Sequence, residues 1–135
     1  MTMRDYVRQQ TAMLLRRLAY QVNRTAQNAD AEAIHDLRVA IRRLSRCLRL
    51  FSQFYPGKSG QKIRRRLSNL MDAAGDVRDR DIAAKLAARA GVLPPDAVFK
   101  RLGNDREAAV RELTAELHHW KQRSFSKKWR AELGL

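Results

Sequence analysis

The stretch that decides the fold is His35-Asp-Leu-Arg-Val-Ala-Ile-Arg-Arg-Leu-Ser-Arg-Cys-Leu-Arg-Leu-Phe51. At about 100° per residue it divides into two faces. Ile34, Leu37, Ala40, Ile41, Leu44, Leu48 and Phe51 fall on one side and predict a helix laid against a core. His35, Arg38, Arg42, Arg46 and Arg49 fall on another, within less than a quarter turn of each other. At ~1.5 Å rise per residue this basic row is ~21 Å long. Like charges stacked at i,i+4 repel by roughly 0.2–0.5 kcal/mol per pair. A solvated helix face relieves that repulsion with interspersed acids, but Asp36, the only acid of the stretch, lies well off the row. The row is therefore expected to meet an external polyanion; the alternative is a solvated basic face.

Towards the N-terminus, residues 2 to about 27 read as a first helix. Met3, Val7, Leu14 and Leu18 make its apolar stripe, widened by Tyr6, Met13 and Tyr20. Arg4, Arg8, Arg16, Arg17 and Arg24 scatter around the rest of the wheel, which is the pattern of solvated surface. Asp30 is placed to cap the second helix, from Ala31 to about Phe54. Tyr55-Pro56-Gly57 ends it, because Pro cannot continue the hydrogen-bond ladder.

Beyond that turn, a third helix is expected over about 61–74, with Ile63, Leu67, Leu70, Met71 and Ala74 inward. Lys62, Arg65, Arg66 and Asn69 form a second polar row, able to face the first if the two helices pack as a hairpin. Gly75 is expected to break the helix and Asp76 to cap a fourth one, to about Ala90. Asp76, Asp79 and Asp81 would then lie in a first turn, where the helix dipole favours acids. On that helix Arg78, Asp81, Lys85 and Arg89 share a face. Gly91-Val-Leu-Pro-Pro95 is the next break. Asp96 caps a long last helix to about Arg123, with Val98, Leu102, Ala109, Leu113 and Trp120 as its stripe, flanked by Phe99, Val110 and Leu117. Ser124 opens a short final helix carrying Phe125, Trp129 and Leu133 inward. No alternation of period two is long enough for a sheet, so the class is all-α, an antiparallel bundle of four to five main helices in one domain, 1–135.

The 28 basic against 14 acidic residues leave a net charge of +14, which implies an acidic partner: nucleic acid, an anionic surface or a phosphate polymer. The four Phe, three Tyr and two Trp sit mostly at core spacings, which disfavours a stacking platform for single strands. The single cysteine, Cys47, lies at the edge of the apolar face and reads as a small core residue. Neither a signal peptide nor a membrane span is apparent, so a reduced, cytoplasmic protein is expected.

Sets of residues that would carry covalent chemistry are missing. There is no Ser-His-Asp, Cys-His or zinc-spaced arrangement and no P-loop. His118 and His119 are adjacent, so they point about 100° apart on a helix and do not pair on a metal. The three acids of 76–81 could be taken for a metal cluster, but a helix first turn accounts for them. No metal, no cofactor and no catalysis are therefore expected.

His35-x-x-Arg38-Val39-x-x-Arg42-Arg43-Leu44, ending in Leu48-x-x-Phe51, closely resembles the signature of the CHAD domain, the conserved-histidine α-helical domain. Ala74-Gly75-Asp76-Val77-Arg78-Asp79-Arg80-Asp81-Ile82 resembles that family's later Leu-Gly-x-x-Arg-Asp-x-Asp-Val segment. Where the family has Arg or Lys after Arg-Arg-Leu, this chain has Ser45; Arg46 and Arg49 restore charge on a slightly rotated row. Family members typically contain two four-helix halves about a pseudo-two-fold, with basic rows lining a central pore. This chain resembles one half, which implies a homodimer.

The resemblance implies binding of inorganic polyphosphate, in the cytoplasm and at polyphosphate granules, with no membrane involved. Such a thread carries about one charge per phosphate and no bases, and asks for rows of guanidinium and ammonium groups. The residues expected to hold it are His35, Arg38, Arg42, Arg46, Arg49, Lys62, Arg65, Arg66, Arg78, Lys85 and Arg89. Arg78 could instead pair with Asp81 or Asp76, and His35 could be a capping or packing histidine. The rival functions are nucleic-acid binding, a Mg²⁺-dependent phosphohydrolase using the Asp76–Asp81 carboxylates, and an accessory subunit of a triphosphate- or polyphosphate-processing enzyme.

Overall fold

The structure is a computed structural model and describes residues 1–93 and 96–135. Its order is α1 (Met3–Gln27), α2 (Ala31–Leu50), a 3₁₀ turn (Ser52–Phe54), α3 (Ser59–Arg89), α4 (Ala97–Gln122) and α5 (Phe125–Glu132). Among the described residues there is no strand, and no helix is long and apolar enough to cross a membrane.

Local chemistry sets most helix ends. Thr2 and Asp5 form a reciprocal capping box, with backbone-to-side-chain bonds of 3.0 and 3.1 Å. Asp30 accepts from the Ala33 N–H at 2.8 Å and Asp96 from that of Val98 at 2.9 Å, so both predicted caps are in place. The two prolines of the predicted break after α3 lie outside the described residues. The second helix ends at Leu50, and its expected last turn tightens into the 3₁₀ turn.

The predicted break at Gly75 does not occur. Residues 59–89 form a single helix, with Gly75 in its interior. A helical glycine costs about 0.8–1.0 kcal/mol relative to Ala. Leu67, Leu70, Ala74 and Val77 on both sides of it are fully buried, and burying one Leu side chain contributes about 1.5–3 kcal/mol. Packing therefore outweighs propensity. With no helix start at Asp76, the first-turn account of the three acids falls too. Asp81 instead pairs with Arg106 at 2.6 Å and Asp76 with Arg80 at 4.0 Å.

The four long helices close a ring, α1 on α2, α2 on α3, α3 on α4 and α4 on α1. Neighbours run antiparallel. Arg24 near the end of α1 pairs with Asp36 near the start of α2 at 2.6 Å. A Cβ on Gly60 at the start of α3 would stand 3.9 Å from the carbonyl of Leu48 at the end of α2. Arg106 of α4 reaches back to Asp81 of α3. Ile34, Leu37, Ile41, Leu44 and Leu48 enter the core as expected, while Phe51 is only half buried.

Two apolar stripes are shorter than expected. On α1, Met3, Tyr6 and Tyr20 are exposed, and Leu15 and Val22 take inward positions. On α4, Val98 is exposed and Leu102 half buried. On α4 the reason is length: the α1–α2 turn sits level with Arg106 and Asp81, as the Arg106 bond to the Ala29 carbonyl shows. The first turns of α4 and the last of α3 project beyond it with only each other to pack on.

Beside the core, Thr11 donates to the Val7 carbonyl at 2.6 Å and accepts from the Tyr55 hydroxyl at 2.7 Å. Cys47 lies 3.6 Å from both hydroxyls, buried. Burial raises the Tyr55 phenol above its ordinary value of 10.0, so the fold prefers its neutral form. The unfolded chain then loses this proton at lower pH than the folded one, and stability falls as pH rises past 10. Tyr55→Phe is expected to cost about 1 kcal/mol near neutral pH and to flatten the decline in alkali; urea unfolding from pH 8 to 11 measures both.

Candidate functional site

The basic row of α2 lies along its seam with α3. The opposite flank of α2, carrying Asp36, Val39 and Arg43, faces α1 across a groove of about 500 Å³. On the α3 side, Ala31, Ile34 and His35 share a pocket of about 210 Å³ with Arg78, Asp81, Ile82 and Lys85. This pocket opens one end of the α2–α3 cleft, and Arg49 lies towards the other end of the same seam, outside the pocket.

Arg38 is the centre of this cleft. Its side chain is half buried, and its Nε is buried without a hydrogen-bond partner. Burial lowers the pKa of the guanidinium below its ordinary value; the charges of Arg78 and Arg42 push the same way, and Asp79 opposes them. An arginine nonetheless stays cationic at neutral pH. A buried donor left unsatisfied costs about 1–3 kcal/mol.

Apart from the exposed Asp79, the carboxylates nearest this cluster are engaged elsewhere. Glu32 and Asp36 of α2 both turn to Arg24 of α1, at 3.6 and 2.6 Å. Asp81 turns to Arg106 of α4. Among the described residues, none of His35, Arg38, Arg42, Arg46, Arg49, Arg78, Lys85 or Arg89 has a carboxylate within 4.0 Å. Pairing of Arg78 with Asp81 or Asp76 is therefore not what the structure contains.

The second predicted row does not face the first. Arg66 stacks over Trp120 and Trp129, 5.4 and 5.9 Å from their ring centroids, on the side of α3 that meets α4 and α5. By helix phase Lys62 lies about half a turn, and Arg65 about a third of a turn, from the flank that carries Arg78. Arg89 shares the Arg78 flank but stands beyond the start of α2.

Sequence reasoning missed Arg64. It lies on the Arg78 flank, half buried, and its Nε is, with that of Arg38, a buried side-chain nitrogen without a partner among the described residues. Arg64, Met71, Arg78 and Lys85 recur every seventh residue, which would have exposed the stripe had α3 been read as unbroken. Arg106 was missed as well. It donates from Nε to Asp81 at 2.6 Å and from Nη2 to the Ala29 carbonyl at 2.8 Å, tying α4 to α3 and to the α1–α2 turn. No grouping of three or more metal-ligating side chains occurs among the described residues.

The fold and the site define an all-α bundle with a predominantly basic seam between two antiparallel helices. The sequence model of the family described as CHAD domain matches residues 9–134, nearly the whole chain, and the protein belongs to that family. A search of the curated proteins and one of the solved structures return no match.

Arg106→Ala is expected to lower unfolding free energy by about 1–3 kcal/mol, since it strands the mostly buried Asp81 carboxylate. Arg80→Ala, whose partner Asp76 is exposed, should cost less than about 0.5 kcal/mol. Chemical denaturation of the two variants side by side checks the order.

Proposed function

We propose that this protein binds inorganic polyphosphate non-covalently along the α2–α3 cleft and is a binding module, not an enzyme. The observation that carries the proposal is the half-buried Arg38 beside the charges of Arg42 and Arg78, with Asp36 and Asp81 committed to α1 and α4 and Asp79 alone opposing the charge. Phosphate oxygens would accept from these guanidinium groups, and charge-assisted bonds of that kind are about twice as strong as neutral ones. His35, Arg42, Arg49, Arg64, Arg78 and Lys85 extend the contact along the seam. Membership of the CHAD-domain family supports a phosphate polymer as the anion.

The lack of stacking surfaces beside the charge favours polyphosphate over nucleic acid. Trp120, Phe125 and Trp129 are buried together, and the exposed Tyr6 and Tyr20 are on α1. Two copies would supply the two basic halves of a central channel. Such a homodimer would act in the cytoplasm, at granules where the cell forms them or beside a triphosphate-processing enzyme.

Arg38→Ala and Arg42→Ala are each expected to weaken binding of long-chain polyphosphate by about 1–3 kcal/mol in calorimetric titration. Arg4→Ala and Arg16→Ala, outside the cleft, should leave it unchanged. Duplex DNA at equal phosphate concentration should fail to displace the polymer; displacement would favour the nucleic-acid reading. Phosphate release on adding Mg²⁺, lost in Asp79→Ala, would mean a hydrolase. The solution mass should be that of a dimer with and without polymer; a monomer of full affinity would remove the two-copy channel.

A further inference from the structure

This inference deepens the polyphosphate reading and depends on it. Gly75 lies inside α3, where glycine weakens a helix. Its φ is not positive, so the backbone does not demand it. A Cβ built on it meets no atom within 4 Å, so packing does not demand it either. A Cβ on Gly60, by contrast, would stand 3.4 Å from the Tyr55 ring, and Gly57, Gly91 and Gly134 have φ of 50°, 84° and 71°. Nothing within the folded chain accounts for the missing side chain at residue 75.

Its position suggests what does. By helix phase Gly75 is within about a sixth of a turn of Arg64, Arg78 and Ile82, on the flank of α3 that faces α2. On antiparallel helices, Leu48 by Gly60 and His35 in one pocket with Arg78 bring Gly75 level with about residues 33–38 of α2, beside Arg38. The open space beside its Cα lies on the flank that carries Arg78, near the charges of Arg38 and Arg42, with the Asp79 carboxylate one turn further along α3.

We infer that Gly75 is a contact residue of the polyanion, its bare backbone forming the floor on which one phosphate unit of the chain rests between Arg38, Arg42 and Arg78. A methyl group there would project about 1.5 Å into the seat and hold the phosphate away from the three guanidinium groups. The same substitution improves the helix. Binding and stability are thus set against each other at this residue.

Gly103 supplies the control. It too lies inside a helix, with nothing within 4 Å of a Cβ, but on α4 and exposed. Gly75→Ala and Gly103→Ala should each raise Tm by about 3–5 °C. Only Gly75→Ala should weaken long-chain polyphosphate binding, by roughly tenfold, the equivalent of one charge-assisted contact. Gly75→Leu should weaken it further with the helix content unchanged.

Unaltered polyphosphate affinity in Gly75→Ala, alongside losses in Arg38→Ala and Arg42→Ala, would overturn the inference and leave the cleft assignment standing. Full affinity in all of these variants would overturn both. A lower Tm in Gly75→Ala would also overturn it, by showing that the fold itself needs the glycine.

Discussion

The structure depends on where its carboxylates go. Arg24 of α1 draws Glu32 and Asp36 to one flank of α2, and Arg106 of α4 draws Asp81 away from Arg78. Each pair is modest as a source of stability, because its members are partly solvated. Their larger effect is electrostatic geometry. Acids that might have neutralised the α2–α3 seam are held on its outer sides, and the seam keeps its positive charge. The repulsion among Arg38, Arg42 and Arg78 is sustained by the core beneath them, where Leu37, Ile41, Leu44, Leu70, Ala74 and Val77 are buried.

The continuity of α3 follows from the same core. Residues on both sides of Gly75 are locked inward, so a weak helix former is carried through by its neighbours. An unbroken helix keeps one phase from Arg64 to Lys85, which is what lines these side chains up opposite α2. A break at Gly75 would have let the two halves rotate independently and scattered the stripe. Arg66, a third of a turn away, shows the alternative fate of an α3 arginine: it lies across the Trp120–Trp129 cluster as packing.

Much of this was legible in the linear pattern. The second helix announces itself because its apolar and basic residues separate cleanly at a period of 3.6, and its cap, Asp30, sits where such a helix must start. The amphipathic signal of α3 is weaker, since basic residues surround its apolar stripe, and a glycine was enough to suggest a boundary. Arg64 went unnoticed for that reason alone. Arg106 could not be found at all: its partners are 25 and 77 residues away, and no local spacing reports them. The exposed Val98 was misplaced for a related reason, because a periodic stripe shows which face is apolar but not how far the neighbouring helix extends.

The sequence by itself determined the helical class, the caps at Asp30 and Asp96, the family and the basic row on α2, because each rests on residue type and short-range spacing. Tertiary structure alone decided which acids neutralise which arginines, which flank of α3 meets α2, and that α3 runs unbroken through Gly75. Those outcomes turn on contacts between distant segments, whose energies outweigh the fraction of a kcal/mol that local propensity assigns to one residue.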